Sequence, residues 1–175
     1  MSEPSTWRKK VYLGLGANLH DPLARLSEAA KLIDATGQMR VLRRSSVYAT
    51  PPWGMVQQDR FLNAVIEIAT ASTAPEVVST CLRIERHMGR NRDSESKWGP
   101  RLIDIDVLLD NDRRISQPGC QVPHPFLHQR AFALVPLLEI QADAFIPGHG
   151  LVETCLRKLP SEEQQAIQIF KDEKW

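Results

Sequence analysis

FLNAVIEIAT, residues 61–70, alternates apolar and mixed side chains in the manner of a half-buried β-strand. Successive residues of a strand point to opposite faces of the sheet. One face would therefore carry the apolar set Leu62, Ala64, Ile66 and Ile68. The other face would carry Phe61, Asn63, Val65 and Glu67. We expect the first face to pack against helices and the second to be available for a site.

The segments on either side of this strand predict three further strands and two helices. Upstream, residues 11–16 (VYLGLG) form a short strand, residues 21–37 begin with Asp-Pro and end with Gly as a helix does, and residues 40–49 are rich in β-forming side chains. Downstream, residues 73–89 carry a capping box and a terminal glycine, and residues 102–109 (LIDIDVLL) form another strand. The order β-α-β-β-α-β predicts an α+β fold with a ferredoxin-like core, a mostly antiparallel sheet and both helices on one face.

The remainder of the chain is expected to belong to the same domain, because no linker composition separates it. Residues 110–175 contain a proline-rich stretch, an apolar helical run at 131–140 and a short helix near 150–158, which would be C-terminal additions to the core. Residues 1–9 are polar, and we expect them to be flexible. The sequence therefore predicts a single catalytic domain over residues 1–175.

Composition narrows the class of protein. The chain has 42% hydrophobic and 25% charged residues and a formal net charge of +1, whereas a dedicated nucleic-acid binder usually has a strong basic excess. Cys81, Cys120 and Cys155 form no C-x-x-C pair, a pattern typical of free thiols in a reducing compartment. The sequence contains no signal-peptide core and no membrane-spanning run. We expect a cytoplasmic protein, monomeric, without nucleic-acid or membrane partners.

Two carboxylates lie on one face of the predicted strand at 102–109. Asp104 and Asp106 are two residues apart, so both point the same way, roughly 6.5–7 Å apart along the backbone. Like charges at this spacing are costly unless a cation lies beside them. Two-metal phosphoryl-transfer sites hold their ions about 3.5–4 Å apart, which such a pair could bridge. Spacing alone leaves two interpretations open, a divalent-metal site and the solvated face of an edge strand.

A basic segment directly precedes these carboxylates. Arg90, Arg92 and Arg101 flank Trp98, and guanidinium groups suit bidentate contacts with phosphate while an indole stacks on planar rings. Acidic and basic ligands so close together favour a polyphosphate site over a solvated loop. His124 and His128 have the spacing of a helical zinc pair, but Pro125 lies between them and no third ligand follows, so zinc is not expected.

Two common nucleotide motifs are excluded. Gly14 and Gly16 begin a G-x-G, but Leu19 occupies the third glycine position of the dinucleotide fingerprint. No G-x-x-x-x-G-K-[ST] string is present in the sequence. Any nucleotide would therefore be held by other means.

The segment RNRDSESKWGPRLIDID, residues 90–106, closely resembles the signature of the 6-hydroxymethyl-7,8-dihydropterin pyrophosphokinase family. The likeness extends over nearly the whole chain, through residues 14–18 (GLGAN), 45–54 (SSVYATPPWG), 61–64 (FLNA), 122–125 (VPHP) and 130–132 (RAF). The chain departs from the family pattern at Leu82, where some members have a polar residue, and at Phe126, where many have arginine.

The resemblance implies a pyrophosphokinase of folate biosynthesis. Such an enzyme transfers the terminal pyrophosphate of ATP, its co-substrate, to the hydroxymethyl group of the pterin and releases AMP. The implied metal ligands for two Mg²⁺ ions are Asp104 and Asp106, and the implied catalytic residues are these two with the loop arginines Arg90 and Arg92. The implied ATP contacts are Glu85, Arg92, Trp98, Arg101, Val107, His124 and Arg130. The implied pterin contacts are Thr50, Pro51, Trp53, Phe61, Asn63, Trp98, Asp104 and Phe132.

Two other functions stay open. One is another magnesium-dependent phosphotransferase that cleaves ATP at the γ-phosphate. The other is a non-catalytic module that binds a small molecule or RNA, since ferredoxin-like sheets serve both uses. An RNA-binding sheet would carry a strand with exposed aromatic residues, and the sequence has no such string.

Overall fold

The computed structural model describes residue 7 and residues 9–52, 57–95, 99–172 and 174–175. The strands are β1 (Lys9–Ala17), β2 (Met39–Arg44), β3 (Val47–Thr50), β4 (Phe61–Thr70), β5 (Asp104–Asp110), β6 (Ile115–Gln117), β7 (Cys120–Val122), β8 (Phe145–Ile146), β9 (Gly150–Leu151) and β10 (Gln168–Lys171). The helices are α1 (Pro22–Ala35), α2 (Ala74–His87), α3 (Ala131–Ile140), α4 (Val152–Arg157) and α5 (Ser161–Gln165). Single turns of 3-10 helix occur at Arg92–Ser94 and Leu127–Gln129.

The main sheet is antiparallel throughout, with β4 at its centre. Its strand order is β10-β3-β4-β1-β5, and β2 pairs with the other half of β4. The chain order β1-α1-β2/β3-β4-α2-β5 is the predicted β-α-β-β-α-β arrangement, so the predicted α+β architecture is confirmed. Two smaller antiparallel pairs, β6-β7 and β8-β9, lie outside the main sheet.

The β-rich segment predicted at 40–49 is two strands rather than one. Ser45 interrupts it: its backbone N–H donates to the carbonyl of Val65 (2.9 Å) and its hydroxyl accepts from the Val65 N–H (2.9 Å). The next residue, Ser46, gives its N–H and its hydroxyl to the carboxylate of Glu139 in α3. These side-chain bonds replace ladder bonds, so β2 ends and β3 begins on either side of the serine pair.

One face of the sheet packs against α1 and α2, as predicted. Apolar residues of β4, β1 and β5 are buried there, including Ile66, Leu13 and Ile105. Leu26 of α1 and Cys81 of α2 meet them. Asp21 caps α1 through its side chain and a Thr73–Glu76 capping box begins α2, so both predicted helix starts are confirmed.

The opposite face is not free of helices, which corrects the expectation that it is wholly available for a site. Leu134 and Leu137 of α3 bury Tyr12, Val65 and Leu108 from the other side of the sheet. The predicted apolar run at 131–140 explains this, since a helix that is apolar on all sides must be covered on all sides. The site therefore occupies only the part of this face that α3 leaves open.

The C-terminal part of the chain and the start of β1 are both attached to the main sheet. β10 pairs with β3, and beyond it the indole N–H of Trp175 donates to the carbonyl of Ser45 (2.7 Å). At the other end, Lys9 already belongs to β1 and its ammonium lies 2.6 Å from the buried carboxylate of Asp110. The segment expected to be flexible therefore ends before Lys9; residues 1–6 and 8 lie outside the described residues.

Cys81, Cys120 and Cys155 are buried and carry free thiols, in line with the prediction that they form no disulfide framework. Within the described ranges, none of the helices combines the length and apolar character needed to cross a bilayer.

A stacked histidine pair near α4 predicts a dependence of stability on pH. The rings of His128 and His149 lie 3.7 Å apart at an interplanar angle of 11°, and burial, followed by the charge of His149, lowers the pKa of His128. Protonation of His128 therefore favours the unfolded chain, and stability should fall as the pH drops below about 6.5. The change to test is His128→Phe, which keeps an aromatic ring but does not titrate. We expect its melting temperature to fall less between pH 7 and pH 5 than that of the unmodified protein; equal losses would contradict the prediction.

Candidate active site

The floor of the candidate site is bare backbone. Gly16 of β1 pairs with Asn63 of β4 on one side and with Asp104 of β5 on the other. Neighbouring strands lie about 4.8 Å apart, so roughly 10 Å of floor separates the backbone positions of Asn63 and Asp104. A Cβ on Gly16 would lie 2.7 Å from Oδ1 of Asn63, so a larger residue here would displace the Asn63 amide. Gly14, two residues earlier in β1, likewise pairs with Asp106 of β5.

A cleft lies above this floor and is lined by most of the predicted pterin residues. Those that line it are Thr50, Pro51, Phe61, Asn63, Asp104 and Phe132. Its polar side is organised by the amide of Asn63, which donates to the hydroxyl of Thr50 at 2.7 Å. The predicted contacts at Trp53 and Trp98 lie outside the described residues. Two aromatic rings, a buried amide and a flat floor are suited to a planar heterocycle.

A second cleft lies beside the outer edge of β5. It is bounded by Leu82 of α2, by the β6-β7 hairpin and by the predicted nucleotide residues Arg92, Val107 and His124. The predicted nucleotide residues Arg101 and Arg130 instead line the first cleft. Asp106 lines both clefts, so a ligand in one can meet a ligand in the other at this carboxylate.

Asp104 is surrounded by arginines. Its Oδ1 accepts from Arg90 at 2.7 Å and from Arg92 at 3.4 Å, and its Oδ2 accepts from Arg101 at 2.5 Å. Burial opposes ionisation of this carboxyl, but Arg90 and Arg101 outweigh it and hold the pKa of Asp104 below its ordinary value. Asp104 is therefore a carboxylate at neutral pH.

The negative charge of Asp106 is less well neutralised by its neighbours than that of Asp104. The guanidinium of Arg130 and the imidazole of His124 are each 3.7 Å from its Oδ2. Burial, together with the charge of Asp104, raises the pKa of Asp106 to about 7. A carboxylate that is costly to ionise and opens onto both clefts has room for a cation beside it.

Glu85 holds the arginines in place. It is 1% exposed, accepts the N–H of Ile105 at 2.8 Å, and forms ion pairs with Arg90 (3.0 Å) and Arg92 (2.8 Å). Arg90 is itself buried and is also paired with Glu95 at 2.9 Å. Glu85, predicted as a nucleotide contact, is thus enclosed by its own partners and lies where it can support the side chains that line the clefts.

His124 is neutral and can donate a hydrogen bond from Nε2. Burial, followed by the charge of Arg130, lowers the pKa of His124 to about 4. The backbone N–H of Phe126 lies 3.1 Å from Nδ1 of His124 and donates to it, which assigns the ring proton to Nε2. Nε2 lies towards Asp106, so its N–H points at the carboxylate shared by the two clefts.

Three residues of the site carry no role in the sequence-based prediction. Gly14 and Gly16 occur there in an incomplete dinucleotide motif and in the segment 14–18 that resembles the family, without a role of their own, although their alternation on a strand places both on the face opposite Leu13 and Leu15. That alternation is the signal that could have revealed them. Glu95 lies in an irregular loop, where no periodicity links it to Arg90.

The two clefts meet at Asp106, and arginines surround the neighbouring Asp104; carboxylates and guanidinium groups placed together in this way suit the transfer of a phosphoryl group. A sequence model of 7,8-dihydro-6-hydroxymethylpterin-pyrophosphokinase (HPPK) matches residues 12–142. The chain belongs to the HPPK family. The 2-amino-4-hydroxy-6-hydroxymethyldihydropteridine pyrophosphokinase of Methylorubrum extorquens is 45% identical over 152 residues, covering 87% of this chain and 95% of that protein. The enzyme of the same name from Aquifex aeolicus is 37% identical over 137 residues, 78% of this chain and 83% of that protein.

Solved structures agree on the fold. An HPPK-DHPS crystallised in complex with substrates superposes with a TM-score of 0.64 at 13% identity, over 86% of this chain and 43% of that chain. Wild-type HPPK-DHPS of Plasmodium falciparum gives a TM-score of 0.62 at 14% identity, over 86% of this chain and 41% of that chain. This chain therefore spans less than half the length of those proteins, and the likeness concerns the shared fold.

Proposed function

We propose that this chain transfers the pyrophosphoryl group of ATP to the hydroxymethyl group of 6-hydroxymethyl-7,8-dihydropterin and releases AMP, as a step of folate biosynthesis. The observation that carries the proposal is the position of Asp106, which lines a cleft suited to a planar ring and a cleft bounded by arginine and histidine. Membership of the HPPK family and the names of the relatives support the same substrates.

The pterin would lie on the glycine floor of the first cleft. Phe61 and Phe132 would stack on its faces, and Asn63, held by Thr50, would read the polar edge of the ring. Pro51 would close the same side of the cleft, and Trp53, Trp98 and Asp104 remain predicted contacts.

ATP would lie in the second cleft with its phosphates directed towards Asp106. Val107 contributes apolar surface there, and Arg92 and His124 contribute donors. Arg101 and Arg130 approach the junction from the first cleft. Trp98 is retained as a predicted contact, and we assign Glu85 and Arg90 the task of holding Arg92 and Asp104 in position, on the strength of their buried ion pairs.

Asp104 and Asp106 would hold the two Mg²⁺ ions, and support for this is stronger at Asp106, because the oxygens of Asp104 already accept from Arg90 and Arg101. Magnesium is held by carboxylate oxygen and substrate phosphate and keeps several waters, so it does not need a full cage of protein ligands. Among the described residues, no group of three or more metal-binding side chains occurs. The guanidinium of Arg130 lies 3.7 Å from Oδ2 of Asp106, further than in a close ion pair, and this distance supports a metal ion beside the carboxylate. Bound magnesium would neutralise charge on the phosphates.

The transfer needs little covalent chemistry from the protein. The hydroxymethyl oxygen forms a bond to the β-phosphorus, the bond from that phosphorus to the α,β-bridging oxygen breaks, AMP leaves, and the hydroxyl proton passes to solvent. Phosphoryl transfer of this kind depends on alignment and charge neutralisation. The floor and the aromatic walls would align the pterin, while Arg92, Arg101 and Arg130 would neutralise the phosphates and the neutral His124 would donate from Nε2.

Product analysis tests this function against both alternatives. The protein is incubated with ATP, magnesium and the reduced pterin, and the nucleotides are separated by chromatography. We expect AMP and the pterin pyrophosphate in equal amounts. ADP would identify a phosphotransferase that cleaves at the γ-phosphate, and unchanged ATP with bound pterin would identify a binding module.

The cellular location and the partners of the enzyme are also proposals. Free, buried thiols suit a reducing compartment, so we propose that the protein works in the cytoplasm. A net charge of +1 gives no electrostatic basis for binding nucleic acid or an anionic membrane. The monomeric state stays a prediction.

A further inference from the structure

Residue 126 is an exposed phenylalanine next to the site. Its side chain is on a surface loop and the residue is 42% exposed. It lies between two of the proposed phosphate ligands in the sequence, two residues after His124 and four before Arg130. Both of these residues contact it in the folded chain.

Its ring contacts the guanidinium of Arg130. The guanidinium carbon lies over the Phe126 ring, 5.5 Å from the centroid, and is also 5.6 Å from the centroid of Phe132. Both distances fall within the range of a cation–π contact, about 6 Å. Arg130 is therefore held by one ring on the surface and by one ring of the pterin cleft.

The aromatic contacts act together with the polar neighbours of Arg130. Its side chain is 10% exposed, and its ion pair with Asp106 spans 3.7 Å. Nε2 of His124 lies 3.4 Å from the guanidinium, but the N–H of Phe126 already occupies Nδ1, so Nε2 carries a proton and accepts no bond from Arg130. Ring faces attract a partly desolvated cation without consuming its N–H donors.

We propose that Phe126 is a positioning residue that holds Arg130 beside Asp106, with its donors directed to the polyphosphate. Its backbone N–H orients His124 and its ring orients Arg130, so one residue aligns two ligands. The proposal rests on the proposed function, in which Arg130 binds the phosphates of ATP.

A double-mutant cycle tests the positioning role of Phe126 separately from the phosphate-binding role of Arg130. The variants are Phe126→Leu, Arg130→Met and the pair of both, and the probe is α,β-methylene-ATP with magnesium, titrated by calorimetry. Leucine keeps apolar bulk and leaves the backbone bond to His124 intact, but it removes the ring contacts with Arg130 and with His124, whose ring centroid lies 6.1 Å from that of Phe126. The Arg130→Met background isolates the contact with the arginine. Phe126→Tyr restores an aromatic face. Phe145→Leu is the matched control, because Phe145 is 51% exposed and lies in the β8-β9 hairpin.

We expect Phe126→Leu to weaken binding of the analogue about 3- to 30-fold, the range that a cation–π contact supports. Phe126→Tyr should bind within about twofold of the unmodified protein, and Phe145→Leu should bind as the unmodified protein does. In the Arg130→Met background, Phe126→Leu should cause no further loss, because its effect is transmitted through the arginine.

Three results would overturn the proposal. They are unchanged binding by Phe126→Leu, failure of tyrosine to restore binding, and an equal loss from Phe126→Leu with and without Arg130. If Arg130→Met itself binds normally, the assignment of Arg130 to the phosphates is wrong and the inference fails with it. If Arg130→Met weakens binding but Phe126→Leu does not, the function of Arg130 stands and the inference about Phe126 alone is wrong.

Discussion

Asp106→Ala is expected to reduce kcat/KM by about a thousandfold or more while leaving the protein folded. Loss of a carboxylate that the proposal assigns to metal and phosphate removes about 4 kcal/mol or more of transition-state stabilisation, and each 1.36 kcal/mol is a factor of about ten in rate. Stability should not suffer. The ion pair of Asp106 with Arg130 spans 3.7 Å, and a carboxyl whose pKa is raised to about 7 destabilises the fold when ionised.

Turnover is measured with saturating magnesium, and thermal unfolding is followed in metal-free buffer. Asp112→Ala is the matched control, because Asp112 is an exposed aspartate just beyond the end of the same strand. We expect the control to keep full activity. Normal turnover by Asp106→Ala would remove the metal role, and a large drop in melting temperature would show that Asp106 is structural instead.

Glu85→Ala is expected to cost about 3–5 kcal/mol of unfolding free energy, the range for removing one partner of a buried ion pair. The substitution strips a carboxylate from Arg90, which is 4% exposed at its side chain, and leaves the N–H of Ile105 without its acceptor. In a chain of this size, 1 kcal/mol shifts the melting temperature by about 2–4 °C, so the total should be on the order of 10 °C.

Thermal and urea unfolding measure this effect. Glu28→Ala is the control: Glu28 pairs with Arg25 at 3.5 Å on the surface of α1, and exposed pairs contribute at most about 1 kcal/mol. A loss from Glu85→Ala no greater than that of the control would mean that Glu95 and Asp104 alone can hold Arg90.

Alternation explains why the core of the fold is predictable from sequence. In β4 and β5 the apolar residues recur every second position, and the structure buries them against α1 and α2 as expected. β10 could not be found this way, because all four of its residues are exposed and the strand exists only through its pairing with β3. The α3 helix was predictable, but a helix that is apolar all round does not reveal which face of the sheet it covers.

The candidate site also has a part that the sequence predicts and a part that it does not. Asp104, Asp106, Phe61 and Asn63 share faces that the strand period predicts, and the structure brings them to one cleft. The glycine floor depends on the register between three strands, which local sequence does not specify. The partners of Glu85 are likewise distant in the chain: Ile105 is twenty residues away and is joined to it only by tertiary packing.

Helices cover β4 on both faces of the sheet, and this affects which parts of the protein can unfold locally. Every residue of β4 after Phe61 is buried, with α1 and α2 on one side and α3 on the other. Amide protons at its centre should therefore exchange with solvent only when the whole domain unfolds, whereas a segment packed on one side can open separately. Substrate entry and product exit would then be local events at the rims of the clefts, on a rigid floor that retains its shape from one turnover to the next.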